Sequence, residues 1–414
     1  MEYVFTERAH LMCPQMYFGI AADIKTGFDE SKIRESFSAL SQAHPFLKAL
    51  LGYDEAANAY FYNVTDYDRT EIIIREEEIS AVDSPAVMEE FERLTGYDWD
   101  LFSEGMCKAA VWKMGDHTCV LFVIHHLLAD GRGLLGLVQQ FADLHVNGTL
   151  PQYAPEKLIS SGTDIPAGSQ LPFFSRFLVD RANKNWRKES LGRSPLSYGE
   201  YHAYADRFIK DNRIAHSLKM TDPSETGKLL EECRKHSVTV NDYLMAKMYN
   251  EENTDKVIIA SDIRPALPFY MPGALGNYST AFSVVIKKKS SDIFTMAGMV
   301  HERVRNILNS PRDLYLVLRC YAEMEPALLD AAFMAGNDAY KSKSAAFIGK
   351  VFFGFAAPSG YSITNLGRIT SESIDSAYFI PPASPAIRKT WGVLTVNGRM
   401  AVCTGAHITD RETQ

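Results

Sequence analysis

The stretch HTCVLFVIHH, residues 117–126, constrains the fold more than any other part of the chain. Its apolar residues follow one another without the polar alternation of a half-exposed strand. A strand of this kind is covered on both faces and sits in the middle of a sheet. The run before it, CKAAVWKM (107–114), is also strand-like, and Gly115-Asp116 between them predicts a hairpin. After the strand come a short loop, Asp130-Gly131, and a segment whose Leu134, Leu137, Val138, Phe141 and Leu144 recur at helical spacing over residues 132–146. Asn147-Gly148 ends that helix.

The alternation continues along the chain. Residues 29–51 read as one helix, started by Asp29, with Ile33, Phe37 and Leu40 on its apolar face. Ser84-Pro85 opens another, with Val87, Met88, Phe91 and Leu94 inward. Residues 150–170 carry Pro, Gly and Ser with little periodicity and read as a linker. Beyond them come a helix near 222–236, the segment TVNDYLMAKMY (239–249), strand-like VIIASDIRP (257–265) and AFSVVIKKK (281–289), and a long helical region over 294–335. YSITNLGRI (361–369) and TWGVLTVNGRMAVCTGA (390–406) make the end strand-rich, with Asn397-Gly398 as a hairpin turn. The expectation is α/β, with two lobes of mixed β-sheet flanked by helices: an N-terminal lobe over 1–150, a linker or crossover over 151–195, and a C-terminal lobe over 196–414.

Composition narrows the function. A net charge of −8, with both signs interspersed, offers no broad basic face for nucleic acid. No apolar run is long enough to span a bilayer, and the start MEYVFTERAHLMCPQ lacks the basic-then-apolar order of a secretory signal. The six cysteines, Cys13, Cys107, Cys119, Cys233, Cys320 and Cys403, form no CxxC pair and no zinc spacing. That pattern suits a reducing cytoplasm, and no metal site is expected. Neither HExxH nor GxSxG is present to suggest a hydrolase.

What stands out is the pair His125-His126 where a buried strand should finish. Histidine takes and returns a proton near neutral pH. If the strand persists, the two rings point to opposite sides, so one packs inside while the other meets a crevice at the strand end. Asp130 can fold back to hold the loop, and Gly131 allows a tight or positive-φ turn. Two satisfied histidines closing a strand would be the ordinary reading of either ring alone.

The whole pattern HHLLADG (125–131) matches the HHxxxDG signature. The chain resembles the superfamily that holds chloramphenicol acetyltransferase, the condensation domains of peptide synthetases and alcohol acetyltransferases. Further segments carry the likeness in order. HPFLKALL (44–51) is similar to the family's "rHPxLRa", TVNDYLMA (239–246) to "TvNDxxxA" and DIRP (262–265) to "lRP". LGNYST (275–280) resembles "xGNf.n", and TNLGRI (364–369) the "sNlG" strand of the bacterial and alcohol-acetyltransferase-like branches. The plant-type DFGWG motif is absent, which sets this chain apart from plant members.

The resemblance implies two chloramphenicol-acetyltransferase-like lobes with a tunnel between them, and a CoA-dependent acyltransferase or condensation activity. His126 would be the general base that deprotonates an alcohol or amine acceptor as it attacks a thioester carbonyl. His125 would be structural, and so would Asp130 and Gly131, with Asp130 paired to Arg264. Asn365 and Gly367 would line the tunnel, with Asn365 either a contact near the reacting carbonyl or simply the holder of a strand turn. Asn241 and Asp242 read as helix caps, with a role in the tunnel as the alternative. No permanently bound cofactor is implied; acyl-coenzyme A or an acyl-phosphopantetheine thioester serves as co-substrate. The partner would be a small-molecule acyl acceptor, with the chain acting either as a stand-alone transferase or with a separate acyl carrier protein. Lys287, Lys288 and Lys289, or Arg181, Lys184, Arg187 and Lys188, would meet phosphates, although charge runs are more often solvated faces. Residues 171–188 form a basic amphipathic segment, read first as packed between lobes and second as a peripheral membrane contact. A different class of reading is a non-catalytic relative that binds a carrier protein or partner enzyme. Such relatives usually lose the second histidine, which this chain keeps.

Overall fold

In a computed structural model that describes residues 2–190, 197–355 and 358–408, the doubly apolar strand His117–His125 is the central one of a five-stranded sheet. The order is Ile374–Ile380, Tyr17–Ile24, His117–His125, Cys107–Met114 and Glu71–Ile74. The central strand runs antiparallel to both neighbours, with Tyr17 opposite His125 and Cys107 opposite Ile124. On one face Phe122 meets Phe37 of helix Glu30–Ala43 and Phe141 of helix Gly131–Asn147, with ring centroids 5.2 and 5.5 Å away. On the other face lies helix Pro85–Thr95. Its Phe91 ring would be 3.2 Å from a Cβ on Gly19, which pairs with Val123, so glycine lets that helix close down. Burial on both sides explains the unbroken apolar run.

The second lobe is a six-stranded mixed sheet in the order Ser279–Val285, Lys256–Asp262, Gly360–Ile369, Ile387–Val396, Arg399–His407 and Ile214–Thr221. Gly360–Ile369 is parallel to both of its neighbours. Helices Pro223–Lys235, Val240–Glu251 and Ile293–Leu308 share the core of this lobe. A small third sheet joins Glu2–Tyr3, Ala59–Val64 and Ala49–Asp54.

Several elements differ from the expectation. The helix read over 29–51 stops at Ala43, because proline disfavours helical backbone at the residue before it and Pro45 opens a 3-10 turn, Pro45–Lys48. Ala49–Asp54 then becomes a strand. The long helical region is four helices, Ile293–Leu308, Pro311–Leu314, Leu316–Glu323 and Pro326–Gly336, with two of the restarts at proline. Residues 151–170 hold no helix or strand, but helix Phe173–Ser190 follows directly. The boundary expected at 195 lies outside the described residues. Ile374–Ile380, late in the chain, crosses back to complete the first-lobe sheet against Tyr17–Ile24. The Asn397 amide holds that crossover by donating to the carbonyls of Ser371 and Ile374.

Candidate active site

The strand delivers its two histidines differently. The His125 N–H bonds to the Met106 carbonyl at 3.0 Å and the His126 N–H to the Met16 carbonyl at 2.8 Å, so the flanking segments hold both backbones. His125 is buried, with the Tyr17 ring edge-on at 5.1 Å, and its Nδ1 accepts the Leu127 N–H at 3.2 Å. Burial, and then the field of His126, pulls its pKa down to about 3, so the ring is neutral. His126 is half-buried and faces a cleft between the lobes.

Asn277, on the segment before strand Ser279–Val285, fixes the His126 ring. Its Nδ2 donates to the His126 carbonyl at 2.7 Å, which turns its Oδ1 toward His126 Nδ1 at 2.9 Å. An oxygen acceptor there places the ring proton on Nδ1 and leaves the Nε2 lone pair available. Burial lowers the imidazole below its ordinary pKa, against the opposing pull of its own carbonyl, Asp130 and Asn277. The His10 ring stacks on His126 at 4.1 Å and 14°, and Phe18 approaches edge-on at 4.9 Å. His10 Nδ1 is buried without a partner, and burial pushes this ring well below its ordinary pKa.

Asp130 is the hub behind the histidines. Its Oδ1 accepts the Gly133 N–H at 2.9 Å, capping helix Gly131–Asn147, and Arg264 Nη2 at 2.8 Å. Its Oδ2 accepts Arg264 Nη1 at 3.0 Å and the Tyr278 N–H at 2.9 Å. Arg264 begins the turn Arg264–Ala266 after strand Lys256–Asp262, so this fork joins the histidine loop to the second lobe. The Arg264 guanidinium also lies over the Tyr270 and Tyr278 rings, at 5.4 and 5.0 Å. Gly131 has no positive φ, so of the tight or positive-φ turn read from the sequence the left-handed alternative is not taken. It is the first residue of the helix, and a Cβ there would come within 2.7 Å of the Leu366 side chain. Glycine serves close approach here rather than turn geometry.

The cleft holds about 90 Å³. Phe18, His126, Asp130 and Gly131 line it from the first lobe, and Arg264 and Asn365 from the second. Asn365 Oδ1 accepts the Gly367 N–H at 2.9 Å, while its Nδ2 lies 3.5 Å from Asn241 Oδ1. Gly367 is not among the lining residues. Its φ of +87° makes the bulge between Asn365 and Arg368, so it shapes the strand that presents Asn365. Thr239, not Asn241, caps helix Val240–Glu251, with Asp242 returning the bond in a capping box. Neither basic cluster lines the cleft: Lys287, Lys288 and Lys289 follow strand Ser279–Val285, and the others sit on helix Phe173–Ser190. Sequence reasoning missed His10, Phe18 and Tyr278, and it left Asn277 without a role although LGNYST contains it.

No protein-family model matches the chain, and no curated protein matches it in sequence. In structure it is similar to the epimerization domain from the third module of tyrocidine synthetase B, with 14% identity, 96% of this chain and 88% of that one covered, and a TM-score of 0.57. It is also similar to polyketide synthase associated protein 5 from Mycobacterium tuberculosis, at 13% identity, 99% and 93% coverage and a TM-score of 0.57. The first condensation domain of the calcium-dependent antibiotic synthetase, in complex with a substrate analogue, matches at 10% identity, 100% and 93% coverage and a TM-score of 0.58. The chain has the two-lobed fold of condensation domains, in agreement with the resemblance carried by HHLLADG.

Proposed function

We propose that this chain transfers an acyl group from a thioester, either acyl-coenzyme A or an acyl carrier protein, to an alcohol or amine acceptor. The observation that carries the reading is His126, with Nδ1 held by Asn277 and Nε2 left available at a cleft between lobes. In this mechanism Nε2 takes the proton of the acceptor O–H or N–H as that atom bonds to the thioester carbonyl carbon. The tetrahedral intermediate collapses, the C–S bond breaks, and the imidazolium returns the proton to the departing thiolate. A positioned base of this kind is worth about 10²–10⁴-fold. Asn365 is the candidate donor to the oxyanion through Nδ2. An acyl-enzyme is not required: all six cysteines are buried, and burial pushes the Cys107 and Cys403 thiols up to about 12.

The cleft volume favours a second reading. At about 90 Å³ it is smaller than the roughly 300–1,000 Å³ of ordinary ligand sites, so substrate entry requires lining side chains or lobes to move. A protein that binds a carrier or partner enzyme without chemistry needs no such opening. Thiol release decides between them. Donors from acetyl- to long-chain acyl-coenzyme A, and an acyl carrier protein, are assayed with and without mixed alcohols and amines. Release that needs an acceptor and disappears in folded His126→Ala supports the transferase. No release from any donor, with equal carrier binding by wild type and His126→Ala, supports the non-catalytic reading.

A further inference from the structure

Helix Phe173–Ser190 has one face that the other described residues leave open. Its inward residues Val179, Ala182 and Trp186 share a core with helices Leu316–Glu323, Pro326–Gly336 and Lys343–Val351. Outward, Phe173, Phe177, Arg181, Lys184 and Lys188 follow one another three or four positions apart, so they stand on one face, with exposed Asp180 the one carboxylate at its edge and three cations against it. Phe173 is 88% exposed, Phe174 68% and Phe177 52%. Single exposed apolar side chains are ordinary, but three phenylalanines within two turns make a patch. Arg176 and Arg187 of the same helix pair with Glu323 and Glu325, whereas Arg181, Lys184 and Lys188 have no acidic partner among the described residues. Helix Lys343–Val351 lies alongside, fastened by Ser342 and Ser344 hydroxyls donating to Glu189, and it exposes Phe347, Val351 and Lys343.

We infer that this face docks on the surface of an anionic lipid bilayer, with the phenylalanines among the upper acyl chains and Arg181, Lys184 and Lys188 at the headgroups. Charge decides the occupant. The chain carries −8 overall, so an anionic sheet is repelled by most of its surface and attracted where unpaired cations collect beside aromatic rings. A second copy meeting this face two-fold would set the same cations against each other. A basic and aromatic helix face is suited to lying in the interfacial plane. Among the described residues no helix is long and apolar enough to cross a membrane. Each cation near such a surface strengthens binding roughly fivefold.

The full chain is sedimented with vesicles of phosphatidylcholine alone and of equal parts phosphatidylcholine and phosphatidylglycerol. Two triple variants accompany it, Phe173→Ser/Phe174→Ser/Phe177→Ser and Arg181→Glu/Lys184→Glu/Lys188→Glu; all six side chains are exposed, and thermal unfolding checks each fold. The wild type should prefer the anionic vesicles by at least about tenfold and weaken with added salt. The phenylalanine variant should lose about tenfold or more, and the charge-reversed variant the preference itself. The inference is overturned if the wild type ignores anionic vesicles, or if both variants bind them as well as it does. A wild-type dimer that the phenylalanine variant dissolves, without vesicle binding, also overturns it and gives the face to a second copy.

Discussion

Replacing Asp130 by alanine should damage the protein mainly by unfastening a loop, and the geometry sets the size of the loss. The carboxylate accepts four hydrogen bonds, two from Arg264 and one each from the Gly133 and Tyr278 backbones. Both partners of the ion pair are buried, with side chains 5% and 10% exposed. Removing one member of a buried pair costs about 3–5 kcal/mol. In Asp130→Ala the guanidinium keeps only Asp262, at 3.1 Å, as counter-charge. Arg264→Ala leaves Asp130 with its two backbone donors. The aspartate variant also gives up a helix cap and orphans an N–H, worth about 1–2 kcal/mol, whereas the arginine variant leaves the buried Asp130 carboxylate without its counter-charge, so the two should lose comparable stability.

Urea unfolding of wild type, the two single variants and the double variant tests this, with the midpoints compared at constant slope. The double variant should lose at least about 1 kcal/mol less than the sum of the singles, since both remove the same fork. Acyl transfer, normalised to the folded fraction, should fall less than in His126→Ala. The reasoning fails if Asp130→Ala unfolds at the wild-type midpoint while activity vanishes. That result would place Asp130 in the chemistry rather than behind it.

The His126 pKa lies below the ordinary imidazole value, and only the neutral ring can act as a base. The acid limb of kcat/KM should have its midpoint below the ordinary imidazole value of about 6.5; a midpoint above that value contradicts the burial of the ring. Asn277→Ala frees the ring to take the other tautomer and should lower kcat about 10–100-fold with little change in KM; an unchanged kcat would remove Asn277 from the mechanism. His125 stays neutral to about pH 3 when folded but titrates near 6.5 when unfolded. Its depressed pKa gives stability that is present above pH 6.5 and is lost as the solution is acidified toward pH 3. By pH 5 the loss is about 2 kcal/mol. His125→Asn should flatten that part of the stability–pH curve, and an identical slope in wild type and variant would count against a buried neutral His125.

The parts of the site legible in sequence are those that local geometry controls. The apolar run ending at His125 announces a covered strand, and Asp130 at a helix start announces a cap. The Asn147-Gly148 stop holds for the same reason, with Gly148 in the left-handed region at φ +77°. Local periodicity fails where proline intervenes: Pro45 ends a helix that the leucines of 47–51 extend on paper, and Pro311 and Pro326 cut the long one. It also fails where a chain leaves its lobe. Nothing within IDSAYFI states that Ile374–Ile380 pairs with Tyr17–Ile24 rather than with its neighbours in the second sheet.

The contacts that make His126 a poised base lie beyond any local pattern. Asn277 reaches it across 151 positions, and Arg264 reaches Asp130 across 134. His10 comes from a four-residue helix, Arg8–Leu11, which the Arg8–Asp330 pair fastens to helix Pro326–Gly336. The backbone carries the same tie, because the Asp130 N–H donates to the Gly276 carbonyl at 3.1 Å. A short motif can therefore announce the loop without stating which nitrogen of the ring is available. That choice belongs to Asn277 and exists only once the lobes have met. Disruption of the seam should consequently be felt as loss of base function even where HHLLADG itself is untouched, as Asn277→Ala is designed to show.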